Sequence, residues 1–136
     1  MSYQPTPDDA PFHRLGGEAG VRAIVERFYD LMHEGEPALA RLHPVDDEGR
    51  VARPSRDRFA LFFIGWLGGP EDYQTQYGHP RLRMRHARVP VDPAMRDAWL
   101  RCMIQAVDES DAGPAIKAWL APRLADVAGH LLNRPG

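Results

Sequence analysis

The spacing of the large apolar residues, and the glycines and prolines that cut it, most restricts what this chain can fold into. Val21, Ile24, Val25, Phe28 and Met32 recur at three- and four-residue intervals, which predicts one helix over 18–34, bordered by Tyr29 and stopped by Gly35. A short helical turn over 37–42 leads to His43-Pro44, and the acidic stretch 45–54 reads as an exposed connector. A second helix is expected from Ser55, or slightly earlier, to Leu67. Its stripe is Phe59, Phe62, Phe63 and Trp66, and Gly68-Gly69-Pro70 stops it. After a loop with Tyr73 and Tyr77, Asp92-Pro93 pairs an N-cap acceptor with a first-turn proline. That start opens a helix to about Asp108, with Ala98, Trp99, Cys102, Met103, Ala106 and Val107 inward. Gly113-Pro114 begins the last helix, whose stripe is Ile116, Trp119, Leu120, Leu124, Val127, Ala128, Leu131 and Leu132, with a kink expected at Pro122. No segment alternates as a strand pair would. The fold class is all-α.

A chain of 136 residues is one domain with its own core. Residues 1–11, rich in Pro and Asp, read as a flexible lead-in, and 12–136 as the folded domain. A net charge of −2 argues against a nucleic-acid partner despite a local arginine cluster. No apolar run approaches the ~20 residues that span a bilayer, so no membrane partner is expected. The N-terminus has no basic-then-apolar leader, which places the expected location in the cytoplasm. Cys102 stands alone, so neither an internal disulfide nor a cysteine zinc site is available.

The run from Gly78 to Val91 carries the most chemistry. Pro80 suits a helix start and Pro90 a stop, and between them Leu82, His86 and Val89 share one face, flanked by Arg81, Arg83, Arg85 and Arg88. An imidazole on an apolar face is either a packed core residue or a ligand for a group with a greasy body and anionic edges. The aromatic stripe of the second helix is likewise either core packing or the wall of a site for a flat cofactor.

Phe28-Tyr29, the two Gly-Gly turns, the helix ending Trp66-Leu67-Gly68-Gly69-Pro70, the run Gly78-His79-Pro80-Arg81-Leu82-Arg83-Met84-Arg85-His86, and Asp97-Ala98-Trp99-Leu100-Arg101-Cys102-Met103 resemble, in order and spacing, a truncated haemoglobin of the second group. The resemblance covers about residues 12–133. It implies a two-over-two helical sandwich around haem b (iron protoporphyrin IX), which composition does not reveal. It assigns His86 as the proximal iron ligand, with Arg85 and Arg58 on the propionates. Tyr29 and Trp99 match the distal donors, an O–H and an N–H aimed at a ligand that gathers negative charge. Phe62, Phe63, Tyr73, Leu82 and Met103 are the remaining expected haem contacts.

His43 departs from the family, which has phenylalanine or tyrosine before the matching proline. It joins the distal donors, turns to the surface, or binds iron as an internal sixth ligand. Ser55 then stands at the ligand entrance, with Phe59 one turn on as an apolar cap.

The implied function is binding of oxygen, nitric oxide and carbon monoxide, for oxygen binding or storage, with nitric oxide dioxygenation and weak peroxide reduction as enzymatic versions. Those versions need a separate reductase, since no flavin or nicotinamide motif is legible. A haem-based sensor and a haem-free helical interaction module are the rival readings, and the protein is expected as a monomer or homodimer.

Overall fold

A computed structural model describes residues 2–79 and 89–133 of the chain. Among them are seven helices: α1 (Pro11–Arg14), α2 (Gly17–Gly35), α3 (Pro37–Ala40), α4 (Arg53–Trp66), α5 (Asp72–Tyr77), α6 (Pro93–Glu109) and α7 (Pro114–His130). The described residues form no strand, only the isolated bridges Thr6–Asp9 and Val45–Val51. Helix α2 packs on both α4 and α6, and α6 packs on α7, so two helix pairs face each other. The all-α class expected from the residues is therefore the fold, stacked as the sandwich that the resemblance implies. No helix among the described residues is long and apolar enough to cross a membrane.

The core lies where the stripes meet. Val21, Val25, Phe28 and Met32 of α2 are fully buried against Phe63 of α4, Met103 of α6, and Ile116, Leu120 and Leu124 of α7. Each such side chain contributes roughly 1.5–3 kcal/mol by leaving water. The predicted cap of α6 is present: the Met95 N–H donates to Asp92 Oδ1 at 2.9 Å, with Pro93 next to the cap. Helix α7 runs through Pro122, which is exposed. Proline has no N–H, so the rung that would end on the Ala118 carbonyl is missing there.

Two glycines let backbones approach closely. A Cβ on Gly20 would lie 2.0 Å from the Leu15 carbonyl oxygen, and one on Gly69 would lie 2.7 Å from Phe12 Cδ1. The second approach is closed by the Phe12 N–H, which donates to the Leu67 carbonyl at 2.9 Å and ties α1 to the end of α4.

Four local readings of the sequence change. The stretch with Tyr73 and Tyr77 is a helix, α5, rather than a loop, and Tyr73 is buried in it. Trp66 does not point inward: it is 36% exposed and stacks flat on Phe63 at 5.8 Å. The 45–54 connector is a closed loop, with the Ala52 N–H on the Pro44 carbonyl at 2.9 Å, the Asp46 N–H on the Arg50 carbonyl at 2.8 Å, and Val51 buried. Finally, the N-terminal segment is pinned at Tyr3, which is 4% exposed. Its hydroxyl donates to the Asp9 carbonyl at 2.7 Å and its ring meets Trp119 edge-on at 5.5 Å.

The helix expected within 78–91, and with it Leu82, Arg85 and His86, lies for the most part outside the described residues. Residues 89–91 are described. Asn133 accepts from the Val91 N–H at 2.8 Å through Oδ1, donates its side-chain amide to the Val89 carbonyl at 2.8 Å, and donates its own N–H to the Val91 carbonyl at 2.9 Å. The end of α7 thereby holds residues 89–91.

Candidate functional site

Helix α4 has two working faces, and their spacing explains the site. Arg56, Ala60, Phe63 and Ile64, followed by Leu67, point into the core toward α2. Ser55, Arg58, Phe59 and Phe62, at i, i+3, i+4 and i+7, line a cavity of about 440 Å³. The opposite wall comes from Met95, Arg96 and Trp99 of α6 and from Val127, Ala128 and Leu131 at the end of α7. Tyr73 of α5, Val89 and Val91 extend one side. Tyr29, Leu39, Leu42, His43 and Pro44 close the inner end. The cavity is thus walled by flat aromatic and aliphatic groups, with guanidinium groups on two helices.

The closed 45–52 loop positions this inner end. By joining Pro44 to Ala52 it brings His43, at the end of the α3 turn, and Ser55, in the first turn of α4, to one cavity despite the residues between them. The His43 Nδ1 lies 3.1 Å from the Leu39 carbonyl. A carbonyl only accepts, so Nδ1 carries the proton in that bond and the ring stands edge-on to Tyr29, with centroids 5.8 Å apart.

Tyr29 is 3% exposed, and its ring is enclosed by Phe28 at 4.9 Å, Phe59 at 6.0 Å and His43. Burial pushes its phenol well above the ordinary tyrosine range, so the hydroxyl stays a proton donor at any working pH. Trp99 stands edge-on to Phe28 at 5.5 Å and perpendicular to Phe59 at 6.5 Å. Among the described residues neither the Tyr29 hydroxyl nor the Trp99 indole N–H has a hydrogen-bond partner, and both side chains border the cavity. Two donors without a protein acceptor, in an apolar enclosure, suit a ligand that accepts.

Behind Tyr29 lies Arg56, the one buried charged residue among those described, at 5% exposure. Its Nε donates to the Val51 carbonyl at 2.8 Å, and its Nη1 to Glu26 at 3.0 Å and Asp30 at 3.2 Å. The guanidinium carbon sits 5.6 Å from the centre of the Tyr29 ring. Arg53 and Arg50 pair with the same two carboxylates from the outside.

Of the residues singled out in the sequence, Tyr29, Trp99, His43, Ser55, Phe59, Arg58, Phe62 and Tyr73 come together on the cavity. Arg58 is exposed and its guanidinium lies 5.0 Å over the Tyr77 ring. Phe63 and Met103 do not line the cavity. Phe63 is sandwiched between Phe59 and Trp66, and Met103 is fully buried in α6. Sequence reasoning missed Met95 and Arg96, although Met95 lies one helical turn before Trp99. It also missed Arg56, whose signal is the Glu26, Asp30 pair, four residues apart on α2 and flanking Tyr29. Among the described residues no cluster of His, Cys, Asp and Glu could hold a metal ion.

The family model for bacterial-like globins matches residues 10–133. The chain is 33% identical over 126 residues to the group 2 truncated hemoglobin YjbI of Bacillus subtilis, covering 93% of this chain and 90% of that protein. Its fold is similar to that of the cold-adapted truncated hemoglobin of Pseudoalteromonas haloplanktis TAC125, with a TM-score of 0.84 at 37% identity over 92% of this chain and 98% of that one. It is also similar to the truncated oxygen-avid haemoglobin of Bacillus subtilis, with a TM-score of 0.80 at 32% identity over 91% of this chain and 99% of that one.

Proposed function

Since the chain belongs to the bacterial-like globins, as a group II truncated haemoglobin, we propose that it binds haem b and retains oxygen beside Tyr29 and Trp99. The observation that carries this reading is the pair of donors without protein acceptors on an apolar, aromatic-walled cavity. A porphyrin is a flat apolar disc with two carboxylates, and the slot supplies Phe59, Phe62 and Tyr73 for its faces, with Arg58 and Arg96 at hand for its edge. His86 is the proximal ligand in this reading, and Arg85 a propionate partner. Haem, when bound, would supply an iron that takes oxygen, nitric oxide or carbon monoxide.

The chain's own residues do the rest. The aromatic walls exclude water from the inner end. The phenol O–H and indole N–H are preorganised donors toward negative charge that gathers on a ligand seated there. His43, held through Nδ1 by the Leu39 carbonyl, stands on the cavity as a third polar side chain. Ser55, small and in the first turn of α4, leaves the way in.

The test is an absorption spectrum of the chain purified with haem supplied, in ferric, ferrous and carbon monoxide-treated forms. A Soret band that shifts with carbon monoxide supports the reading, and no band from a correctly helical protein refutes it. Mixing the oxygenated protein with nitric oxide then separates storage from dioxygenation. Stoichiometric nitrate marks the enzymatic version, and simple ligand exchange marks storage.

A further inference from the structure

We propose that Arg56 is a positioning residue for Tyr29. Lying on that ring, and tying Glu26, Asp30 and the Val51 carbonyl together, it fixes the phenol and strengthens it as a donor into the cavity. The part of this that concerns a bound ligand rests on the haem reading above; the Arg56–Tyr29 contact does not.

A guanidinium on the core face of α4 needs a reason. Arg56 stands in register with Ala60, Phe63 and Leu67, where an apolar side chain would pack without desolvating a charge. Its side chain is only 6% exposed, against 37% and 38% for its two carboxylate partners. Its donors point three ways, to α2 twice and to the loop carbonyl at Val51. The planar fork reaches the loop carbonyl from Nε and both carboxylates from Nη1, a spread of donors that the single nitrogen of a lysine lacks.

Two effects on Tyr29 follow. A cation within about 6 Å of a ring centre is attracted to its face, so Arg56 restrains the ring on one side while Phe28, Phe59 and His43 restrain the others. The cation also draws electron density from the ring, which makes the O–H the better donor. Charge is the second effect. Glu26 and Asp30 bracket Tyr29 on α2, and their negative charge alone would oppose negative charge gathering on a ligand beside the phenol. Arg56 cancels them from the inner side, while Arg53 and Arg50 do so from the outer side. Its hold on Val51 also keeps the loop closed that sets His43 at the cavity.

The experiment is a double-mutant cycle on the full haem-loaded chain with Arg56→Met, Tyr29→Phe and the pair, reading oxygen dissociation by stopped flow and the C–O stretch after carbon monoxide is added to reduced protein. In the parent, Arg56→Met speeds dissociation by about tenfold and moves the C–O stretch to higher wavenumber, as a weaker donor would. In the Tyr29→Phe background the same substitution has a markedly smaller effect on both, and what remains comes from the bare charge of Glu26 and Asp30 and from the loop that sets His43. Equal effects in both backgrounds overturn the proposal, because Arg56 would then act on the pocket without the phenol. Arg56→Gln, which keeps a donor for Val51 and drops the charge, serves if Arg56→Met does not fold. It should show the same dependence on Tyr29, and independence overturns the proposal equally. A parallel cycle in urea unfolding midpoints, with Tyr29→Leu in place of Tyr29→Phe so that the ring face is lost, reads the contact whether or not haem binds. Non-additive midpoints support the contact, and additive ones refute it. A chain without a Soret band but with non-additive midpoints would sink the haem reading and leave the contact standing.

Discussion

Replacing Tyr29 with phenylalanine should move function and stability in opposite directions, and the structure sets both signs. The ring is 3% exposed and enclosed by Phe28, Phe59 and His43, so phenylalanine keeps its packing. The hydroxyl has no hydrogen-bond partner among the described residues, so its removal breaks no protein hydrogen bond there. The ligand-free protein should therefore unfold at the same urea concentration or a higher one, within about 1 kcal/mol of the parent. A ligand in the cavity loses one donor in a screened-off site. A hydrogen bond to a charged acceptor contributes roughly 1.5 kcal/mol, which is about tenfold in the dissociation rate. Stopped-flow displacement of oxygen by carbon monoxide measures the rate, and urea titration followed by circular dichroism measures the stability. An unchanged off-rate would mean that the phenol does not face the ligand. A loss of stability well above 1 kcal/mol would mean that the hydroxyl bonds to protein. Either result refutes the reasoning.

Other consequences concern different parts of the molecule. Gly20→Ala should destabilise by about 2 kcal/mol or more, read as a lower thermal midpoint, because its Cβ would fall 2.0 Å from the Leu15 carbonyl oxygen and only backbone movement relieves that. The Arg53 guanidinium, with Arg56 behind it, holds the Glu26 carboxyl below the ordinary glutamate range. A depressed folded-state pKa gives stability that is complete above the unfolded-state value and fades as pH falls through the folded one. Urea midpoints should accordingly drop below about pH 4.5, and less steeply in Arg53→Met. Burial pushes the Cys102 thiol up to about 11, so iodoacetamide at pH 8 should leave the native protein unmodified and label it promptly in urea. His43→Phe removes the bond to the Leu39 carbonyl and a polar edge beside Tyr29. Autoxidation rate and ferric spin state should both change, and constancy of both would place His43 outside the working site.

The predicted helix starts and stops survive nearly to the residue where a local rule acts alone. Asp92 caps α6 through its own carboxylate, and Gly113-Pro114 opens α7, because those signals depend on neighbours within one turn. The apolar stripe of α2 is likewise the observed buried face, since three- and four-residue spacing can be satisfied on one side of a helix only. The motif-based resemblance carried further than periodicity did, to the sandwich itself, in which Tyr29 and Trp99 border one cavity.

Tertiary structure alone decided what a helix with two faces does with each. On α4 the aromatic residues look like a single stripe in sequence, yet Phe59 and Phe62 border the cavity, Phe63 fills the core and Trp66 meets solvent. Consecutive residues such as Phe62 and Phe63 point roughly 100° apart on a helix, and only the packed partners α2, α6 and α7 say which direction is inside. Arg56 makes the same point with a charge. Nothing in its local sequence marks it as buried, because its acceptors lie on α2 and in a loop whose closure brings Val51 to it. Short-range chemistry wrote the helices and their ends. The meeting of distant acceptors around one guanidinium, and of two donors on one cavity, exists only once those helices are stacked.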